Sequence, residues 1–158
     1  MSVHNVTWYA TASGVGSTEV IEEALKWLTG GNGDISREKV KSYHGARMTM
    51  LRAQIDRKKA ARESIPYLGA ELLGVLAQSG DLVSRIDDEN ILHIRLSISS
   101  LVRGSIELSE GSEEQVKGRI KLEVYPGQDS LENARIMLES AAKRATELGL
   151  PNQIQDPE

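Results

Sequence analysis

Residues 115–125 alternate apolar and polar side chains with a period of two, the pattern of a β-strand with one buried face. The apolar set is Val116, Ile120, Leu122 and Val124, and the opposite set is Lys117, Arg119, Lys121 and Tyr125. Residues 92–98 and Val3–Thr11 alternate in the same way. Because strict alternation in several strands is typical of an antiparallel sheet covered on one face only, it constrains the fold more than any other feature of this chain.

Further strands are predicted where β-favouring residues lie between turn signals. Two of them, Glu38–His44 and Met48–Ile55, would form a hairpin around His44 and Gly45. Another hairpin is predicted to turn at residues 87–90, and a short strand is expected at Ser105–Leu108.

Apolar residues at helical spacing predict three helical regions between these strands. The first follows Ser17, a predicted N-cap, and has Val20, Ile21, Ala24, Leu25 and Leu28 on one face. The second spans residues 56–80 and must kink or restart at Pro66, because proline cannot occupy a continuous helix interior. Its predicted apolar stripe is Ile65, Leu68, Leu72, Val75 and Leu76. The third begins near Asp129, which with Glu132 resembles a capping box.

The predicted element order is β-α-β-β-α-β-β-β-β-α. This order predicts an α+β two-layer sandwich, in which a largely antiparallel sheet has one face covered by about three helices. A chain of 158 residues is most simply one domain, which we place at residues 1–150, followed by a flexible C-terminal tail at 151–158.

Composition excludes several classes of protein. The chain has no cysteine, so disulfides, thiolate metal sites and a cysteine nucleophile are excluded. Its apolar runs are too short to span a bilayer, and its first ten residues lack the features of a signal peptide. We therefore expect a cytoplasmic protein that does not associate with membranes.

The net charge of −4 conceals an uneven distribution of charged residues. Residues 37–62 contain nine basic residues against two acids, a net charge of +7, so the rest of the chain carries −11. A basic region within an acidic protein points to an anionic partner more strongly than the total charge does.

If the apolar side of each strand faces the helices, the opposite side of the sheet is open and basic. The residues assigned to this face are Tyr9, Lys39, Lys41, Tyr43, Met50, Arg52, Gln54, His93, Arg95, Lys117, Arg119, Lys121 and Tyr125, with Glu123 the one acid. Cations that neutralise phosphate and rings that stack on unpaired bases are what an RNA-binding sheet needs. Two other interpretations of this face remain open, an ordinary solvated surface and a dimer interface.

A second basic feature is the predicted helix start at residues 56–62, where Asp56 is the expected N-cap. Arg57, Lys58 and Lys59 then occupy the first turn, where cations oppose the helix dipole. Free backbone N–H groups and three cations would together suit a phosphate. The alternative is that these long side chains extend into water, where salt screens the unfavourable interaction.

His44 has no signature of a catalytic partner, because no HExxH sequence and no Ser/His/Asp pattern is present. We therefore predict no enzymatic activity, no catalytic residue, no metal site and no cofactor. A small hydrolase that uses His44 is the alternative with the least support.

Three segments resemble an archaeal family of predicted exosome subunits, small proteins predicted to bind RNA. They are VHNVTWYATA with EVIEEAL, then YHGARMTMLRAQIDRKKAA, then DDENILHIRL, and the similarity extends from Val3 to about Leu148. The resemblance implies an α+β fold similar to that of the large-subunit ribosomal protein that binds the smallest ribosomal RNA. It also implies association with RNA near the processing and degradation machinery, and no catalytic residues.

Together these observations predict a non-catalytic RNA-binding accessory protein. The partners that they suggest are RNA, proteins of the exosome or ribosome, and a second copy of the chain. The alternative is a protein-interaction module or homodimer that uses the open basic face without RNA. Tyr43 is the best candidate for stacking on a base. The predicted RNA-binding residues are Lys39, Lys41, Tyr43, Arg47, Arg52, Arg57, Lys58, Lys59, Arg62, Arg95, Lys117, Arg119 and Lys121.

Overall fold

A computed structural model describes residues 3–13, 18–41, 47–109, 111 and 114–150. The five strands in these ranges are β1 Val3–Ser13, β2 Asp34–Lys41, β3 Arg47–Ile55, β4 Ile91–Ser97 and β5 Gln115–Leu122. The five α-helices are α1 Thr18–Leu28, α2 Lys58–Ser64, α3 Ala70–Gln78, α4 Ile98–Val102 and α5 Ser130–Leu148. Two 3₁₀ helices lie at Ile65–Leu68 and Leu82–Arg85.

The strands form one sheet in the order β2-β3-β1-β5-β4, and every neighbouring pair is antiparallel. β1 is the central strand, and its buried side carries Val6, Trp8, Ala10 and Ala12. The Trp8 ring lies directly over Gly118 of β5, and a Cβ added at Gly118 would overlap it. The absence of a side chain at position 118 therefore makes room for the largest core residue of the sheet.

The helices pack on the same side of the sheet as Trp8, and the core lies between the two layers. Fully buried core residues include Leu51, Ile94 and Ile120 from the strands and Leu25, Leu73 and Leu138 from the helices. The predicted α+β sandwich, with an antiparallel sheet covered on one face, is confirmed.

The two edges of the sheet differ. The outer edge of β4 is covered by bridges from Ile86 to Leu92 and from Leu108 to Leu96. The predicted turn at residues 87–90 is confirmed, since the Asp87 N–H bonds to the Ile91 carbonyl across it, but its first arm is only the bridge at Ile86. The predicted strand at Ser105–Leu108 was wrong, because Leu108 forms only an isolated bridge. No strand in the described ranges pairs with the outer edge of β2.

Pro66 separates α2 from α3, as predicted, and lies in the first turn of the 3₁₀ helix between them. α3 then restarts after Gly69, whose φ of 91° few other residues adopt. This restart changes the buried face of α3, so Leu73 is buried and Val75 is 56% exposed, contrary to the predicted stripe.

Helix caps account for two other boundaries. Asp129 is the N-cap of α5, as predicted, and its side chain accepts a hydrogen bond from the Leu131 N–H. Ser97 caps α4 by accepting a hydrogen bond from the Ser100 N–H, so β4 ends at Ser97 and Ile98 is helical. The predicted tail at 151–158 and the predicted N-cap Ser17 lie outside the described residues.

Candidate nucleic-acid interface

The register of the sheet determines which side chains share its open face, because residues directly opposite each other in antiparallel strands point the same way. Tyr9 of β1 is opposite Arg52 of β3 on one side and Lys117 of β5 on the other. Lys117 is in turn opposite Arg95 of β4. The open face therefore has a transverse row Arg52–Tyr9–Lys117–Arg95 that crosses four strands.

A second row runs parallel to the first, two residues away along each strand. It contains Gln54, Thr7, Arg119 and His93. A third position pairs Asn5 with Lys121, which is opposite Ile91. Together the two rows and the Lys121 position bring five cations to one face: Arg52, Arg95, Lys117, Arg119 and Lys121. We call this surface the basic sheet face.

Tyr9 lies at the centre of the basic sheet face and is half-buried among its neighbours. The guanidinium carbon of Arg52 lies 5.0 Å from the centroid of the Tyr9 ring, within the range of a cation–π contact. The contact covers one face of the ring and holds its orientation. Tyr9 is therefore an ordered aromatic side chain at the centre of this surface.

Three of these cations are not neutralised within the described residues. Arg95, Lys117 and Arg119 are exposed, and no ion pair joins them to a carboxylate of the part of the chain that the structure describes. The carboxylates that share this face on the strands, Asp34 and Glu38, are both on the edge strand β2. Because β3 and β1 lie between β2 and Lys117, the centre of the face stays positive.

The turn before β4 borders the basic sheet face. Asp87 organises this turn, because its Oδ1 accepts hydrogen bonds from the Glu89 N–H at 2.9 Å and the Ile91 N–H at 3.1 Å. Its Oδ2 lies 2.7 Å from His93 Nε2. The hydrogen bond with His93 is the main reason that the pKa of Asp87 lies below its ordinary value.

A groove of about 220 Å³ opens between this turn and the central strand. Asn5 and Thr7 of β1 contribute an amide and a hydroxyl, and Arg119 and Lys121 of β5 contribute two cations. Lys121 donates a hydrogen bond to the main-chain oxygen of Glu89, which also lines the groove. The groove thus places two cations, an amide and a hydroxyl beside Ile91, groups that suit part of a nucleotide.

The register contradicts the predicted location of Lys39. Lys39 is opposite Thr49, and Arg37 is opposite the buried Leu51, so both lie on the helix side of β2. Arg37 forms an ion pair there with Glu22 of α1. The residues of β2 that share the basic sheet face are instead Asp34, Ser36, Glu38 and Val40.

Lys41 pairs through its backbone with Arg47 at the end of the β2–β3 ladder. The side chains of Lys41 and Arg47 lie outside the described residues, as do Tyr43 and His44 with the rest of 42–46.

The start of α2 differs from its predicted form. The N-cap is Arg57, which makes no side-chain capping bond, and the Asp56 carboxylate instead accepts a hydrogen bond from Gln54 Nε2 at 2.8 Å. Lys58 Nζ lies 3.0 Å from the carboxylate of Glu123. One of the three cations predicted to hold phosphate is therefore already paired.

Glu123 is the centre of a small polar cluster beyond the end of β5 and is only 9% exposed. Tyr125 donates its hydroxyl hydrogen bond to Glu123, and His4 Nδ1 lies 3.9 Å from the same carboxylate. The pKa of Glu123 is lowered, first by the Tyr125 hydrogen bond and then by Lys58, and the pKa of Tyr125 is raised by the same bond. Glu123, the one acid predicted on the open face, is therefore engaged by Tyr125 and Lys58.

The basic segment at residues 37–62 therefore does not form one surface. Arg37 and Lys39 lie on the helix side of β2, Arg52 lies on the basic sheet face, and Arg62 lines a groove of about 510 Å³ with Arg144 of α5. Four of the five cations on the basic sheet face come instead from β4 and β5.

Sequence reasoning placed Tyr9 on this face but did not select it as a site residue, and it did not select Asn5 or Thr7. Alternation within β1 predicts that Asn5, Thr7 and Tyr9 share one side of the strand, but only the strand order shows that β1 is central and that cations flank Tyr9 on both sides.

Within the described ranges no helix has the length and apolar character needed to cross a bilayer, and no cluster of three or more His, Asp or Glu residues is arranged to hold a metal ion.

Comparisons with known proteins point in the same direction as the site. A family model described as RNA binding matches residues 6–124, which include β2 to β5 and most of β1. Among solved structures, Mth689, a DUF54 protein from Methanothermobacter thermautotrophicus, is 28% identical and has a TM-score of 0.72, covering 88% of this chain and 100% of that one. The DUF54 protein AF2318 from Archaeoglobus fulgidus is 24% identical, with a TM-score of 0.65 and coverage of 85% and 99%. No curated protein matches the chain significantly.

Proposed function

Since this chain belongs to the RNA-binding family, we propose that it is a non-catalytic RNA-binding accessory protein that holds RNA on the basic sheet face. The observation that carries the proposal is the transverse row Arg52–Tyr9–Lys117–Arg95, in which cations flank an aromatic ring on the central strand. Lysine and arginine side chains neutralise phosphate and release its counterions, and this release supplies much of the affinity for RNA.

The basic sheet face is a better phosphate surface than the start of α2. α2 has seven residues, and its Lys58 is paired with Glu123. Arg95, Lys117 and Arg119, by contrast, are exposed and have no carboxylate partner among the described residues. An unpaired cation gains the full benefit of meeting a phosphate, whereas a paired cation must first give up its existing partner.

RNA binding can be tested by fluorescence anisotropy with a labelled single-stranded RNA over a range of salt concentrations. We compare wild type with Lys117→Glu/Arg119→Glu. The matched control is Lys143→Glu/Arg144→Glu on α5, which makes the same change of charge in the helix layer. We expect the first variant to lose most of its affinity at low salt and its log–log salt slope to fall by about 1.4, the contribution of two phosphate contacts. The control should stay within about twofold of wild type, because distant exposed charges are screened.

Two results would overturn the proposal. One is no binding by wild type at low salt; a mass that rises with protein concentration would then favour the self-association alternative. The other is an equal loss of affinity in the control, which would mean that the charge of the whole molecule, and not this face, attracts RNA. The non-catalytic role predicts that the labelled RNA stays intact through a long incubation, and cleavage would contradict it.

The resemblance to predicted exosome subunits supports a role in RNA processing or degradation. A chain that delivers RNA to such a complex should change its rate of decay without cutting RNA itself. We expect wild type, added to a purified exosome, to alter the decay of an RNA that it binds, and Lys117→Glu/Arg119→Glu to have no effect. An unchanged decay rate with wild type would remove the exosome from the proposal and leave RNA binding intact.

A further inference from the structure

We infer that the basic sheet face takes RNA as a single strand, with an unpaired base stacked on Tyr9. This inference rests on the proposed function and adds the class of RNA and the residue that selects it.

Tyr9 is the aromatic residue that the described strands present on the open face. Trp8 is buried on the other side of the same strand, and Trp27 packs against the core. Tyr67 lines the groove between helices, and Tyr125 is held by Glu123. Among the described aromatic residues, Tyr9 alone is placed where a ligand on the basic sheet face would meet a ring.

The surroundings of Tyr9 suit a stacked base with its phosphates. Neighbouring strands lie about 4.7–4.9 Å apart, so Arg52 and Lys117 flank the ring within one strand spacing on either side. The Arg52 guanidinium lies over one face of the ring, so a base can stack on the opposite face of Tyr9 or on the outer side of the guanidinium plane. Lys117 is exposed on the opposite side and is free to meet the phosphate of the same nucleotide.

This arrangement favours an unpaired base, because the bases of a duplex are stacked on one another and present only their edges and backbone to a sheet. A duplex could therefore use the cations of the face but not the Tyr9 ring. Since stacking is tolerant of sequence, the ring selects strandedness and not a particular base.

The groove beside Asn5 and Thr7 extends the same path along β1. Asn5 lies four residues from Tyr9 on the same face, about 13 Å away at the rise of a β-strand. Its amide can both donate and accept hydrogen bonds, and Arg119 and Lys121 line the groove with it. A strand of RNA that stacks one base on Tyr9 is thus led towards a polar groove that can hold a following nucleotide.

The test compares a twelve-nucleotide single-stranded RNA with a twelve-base-pair RNA duplex, using wild type, Tyr9→Phe and Tyr9→Leu. We expect Tyr9→Leu to weaken single-strand binding roughly 5- to 150-fold, the usual range for one stacked base. Duplex binding should change by less than about twofold, because the cations remain. Tyr9→Phe keeps the ring and should stay within about twofold of wild type on both RNAs.

Tyrosine ring resonances give a second readout that does not depend on the stability of Tyr9→Leu. The chain has four tyrosines, and the spectrum of Tyr9→Phe identifies the Tyr9 signal by its loss. Single-stranded RNA should shift the Tyr9 ring signals upfield through the ring current of the base, and the duplex should not. The stacking inference is overturned if three results occur together: wild type binds both RNAs equally, Tyr9→Leu binds as tightly as wild type, and the Tyr9 signals do not shift. The proposed function would still stand in that case. If wild type binds neither RNA, the proposed function itself fails.

Discussion

Lys58 and Glu123 form an ion pair with a 3.0 Å separation that joins the start of α2 to the chain just beyond β5. The two residues are 65 positions apart in the sequence, and the pair neutralises a cation that local sequence assigns to phosphate binding. Lys58 is thereby a contact between the sheet and helix layers.

The first prediction concerns the different roles of Lys58 and Lys117. Lys58→Ala should change RNA affinity by less than about twofold, whereas Lys117→Ala should weaken it several-fold, because only the latter removes an unpaired cation from the basic sheet face. Anisotropy titrations at one salt concentration, about 100 mM, measure both. A larger loss in Lys58→Ala than in Lys117→Ala would place the phosphate contacts at α2 instead.

The second prediction is an acid dependence of stability due to Glu123. The pKa of Glu123 in the folded chain lies below the ordinary value of 4.5. Its ionised form therefore stabilises the fold above pH 4.5, and this contribution is lost as the pH falls through the folded-state pKa. Glu123→Gln should lower the free energy of unfolding at pH 7, and the difference from wild type should shrink in acid.

Urea unfolding of both proteins at neutral and acidic pH measures this difference. Glu139→Gln is a suitable control, because Glu139 is exposed and lies in the middle of α5. A difference between wild type and Glu123→Gln that stays the same at every pH would show that the ionised carboxylate has no part in the effect.

The third prediction separates the two functions of Asp87. Asp87→Asn retains an oxygen for the turn but removes a negative charge beside His93 and the basic sheet face. Its affinity for RNA should therefore rise a few-fold at low salt, and this increase should disappear at high salt. Asp87→Ala removes the turn bonds as well and should lower the thermal midpoint more than Asp87→Asn does. If Asp87→Asn bound RNA no better than wild type at low salt, Asp87 would be electrostatically remote from the RNA.

The fourth prediction concerns the contact between Trp8 and Gly118. Gly118→Ala adds a methyl group that overlaps the Trp8 ring in the core, so it should destabilise the fold by about 1–3 kcal/mol. Gly74→Ala is the matched control, because Gly74 is in α3 and, apart from its own neighbours in the helix, no described atom lies within 4 Å of the added methyl group. It should stabilise the fold by about 0.4–1 kcal/mol through the unfolded state. Urea unfolding measures both changes, and equal effects would mean that the ring moves aside without cost.

The sequence predicted the fold class because β1, β4 and β5 alternate clearly, and it predicted the break at Pro66 because proline excludes a continuous helix. It placed Lys39 on the wrong face because β2 is an edge strand. Both of its sides carry polar residues, so the strand has no apolar phase to read, and only its register with β3 gives the orientation.

Only part of the candidate site was predictable, because strand pairing and not sequence position decides which basic residues are neighbours. The basic residues of 37–62 are close together in the sequence, but the fold distributes them over the edge strand β2, the open face of β3 and the helix α2. The cations of β4 and β5 attract less attention in the sequence, yet pairing between the two strands places Arg95 directly beside Lys117. Position in the sheet, and not local density of charge, makes the surface.

The outer edge of β2, with which no described strand pairs, has a consequence for how two molecules of this chain can associate. Two copies that join such edges about a two-fold axis must place one residue opposite itself, because facing residues share a side of the sheet. Centring the axis on Arg37 or Lys39 opposes two cations, and centring it on Glu38 opposes two acids. Centring it on Ser36 brings Asp34 opposite Glu38. Each register that would pair five or more residues of β2 therefore places like charges opposite each other, which disfavours the joining of two copies through this edge.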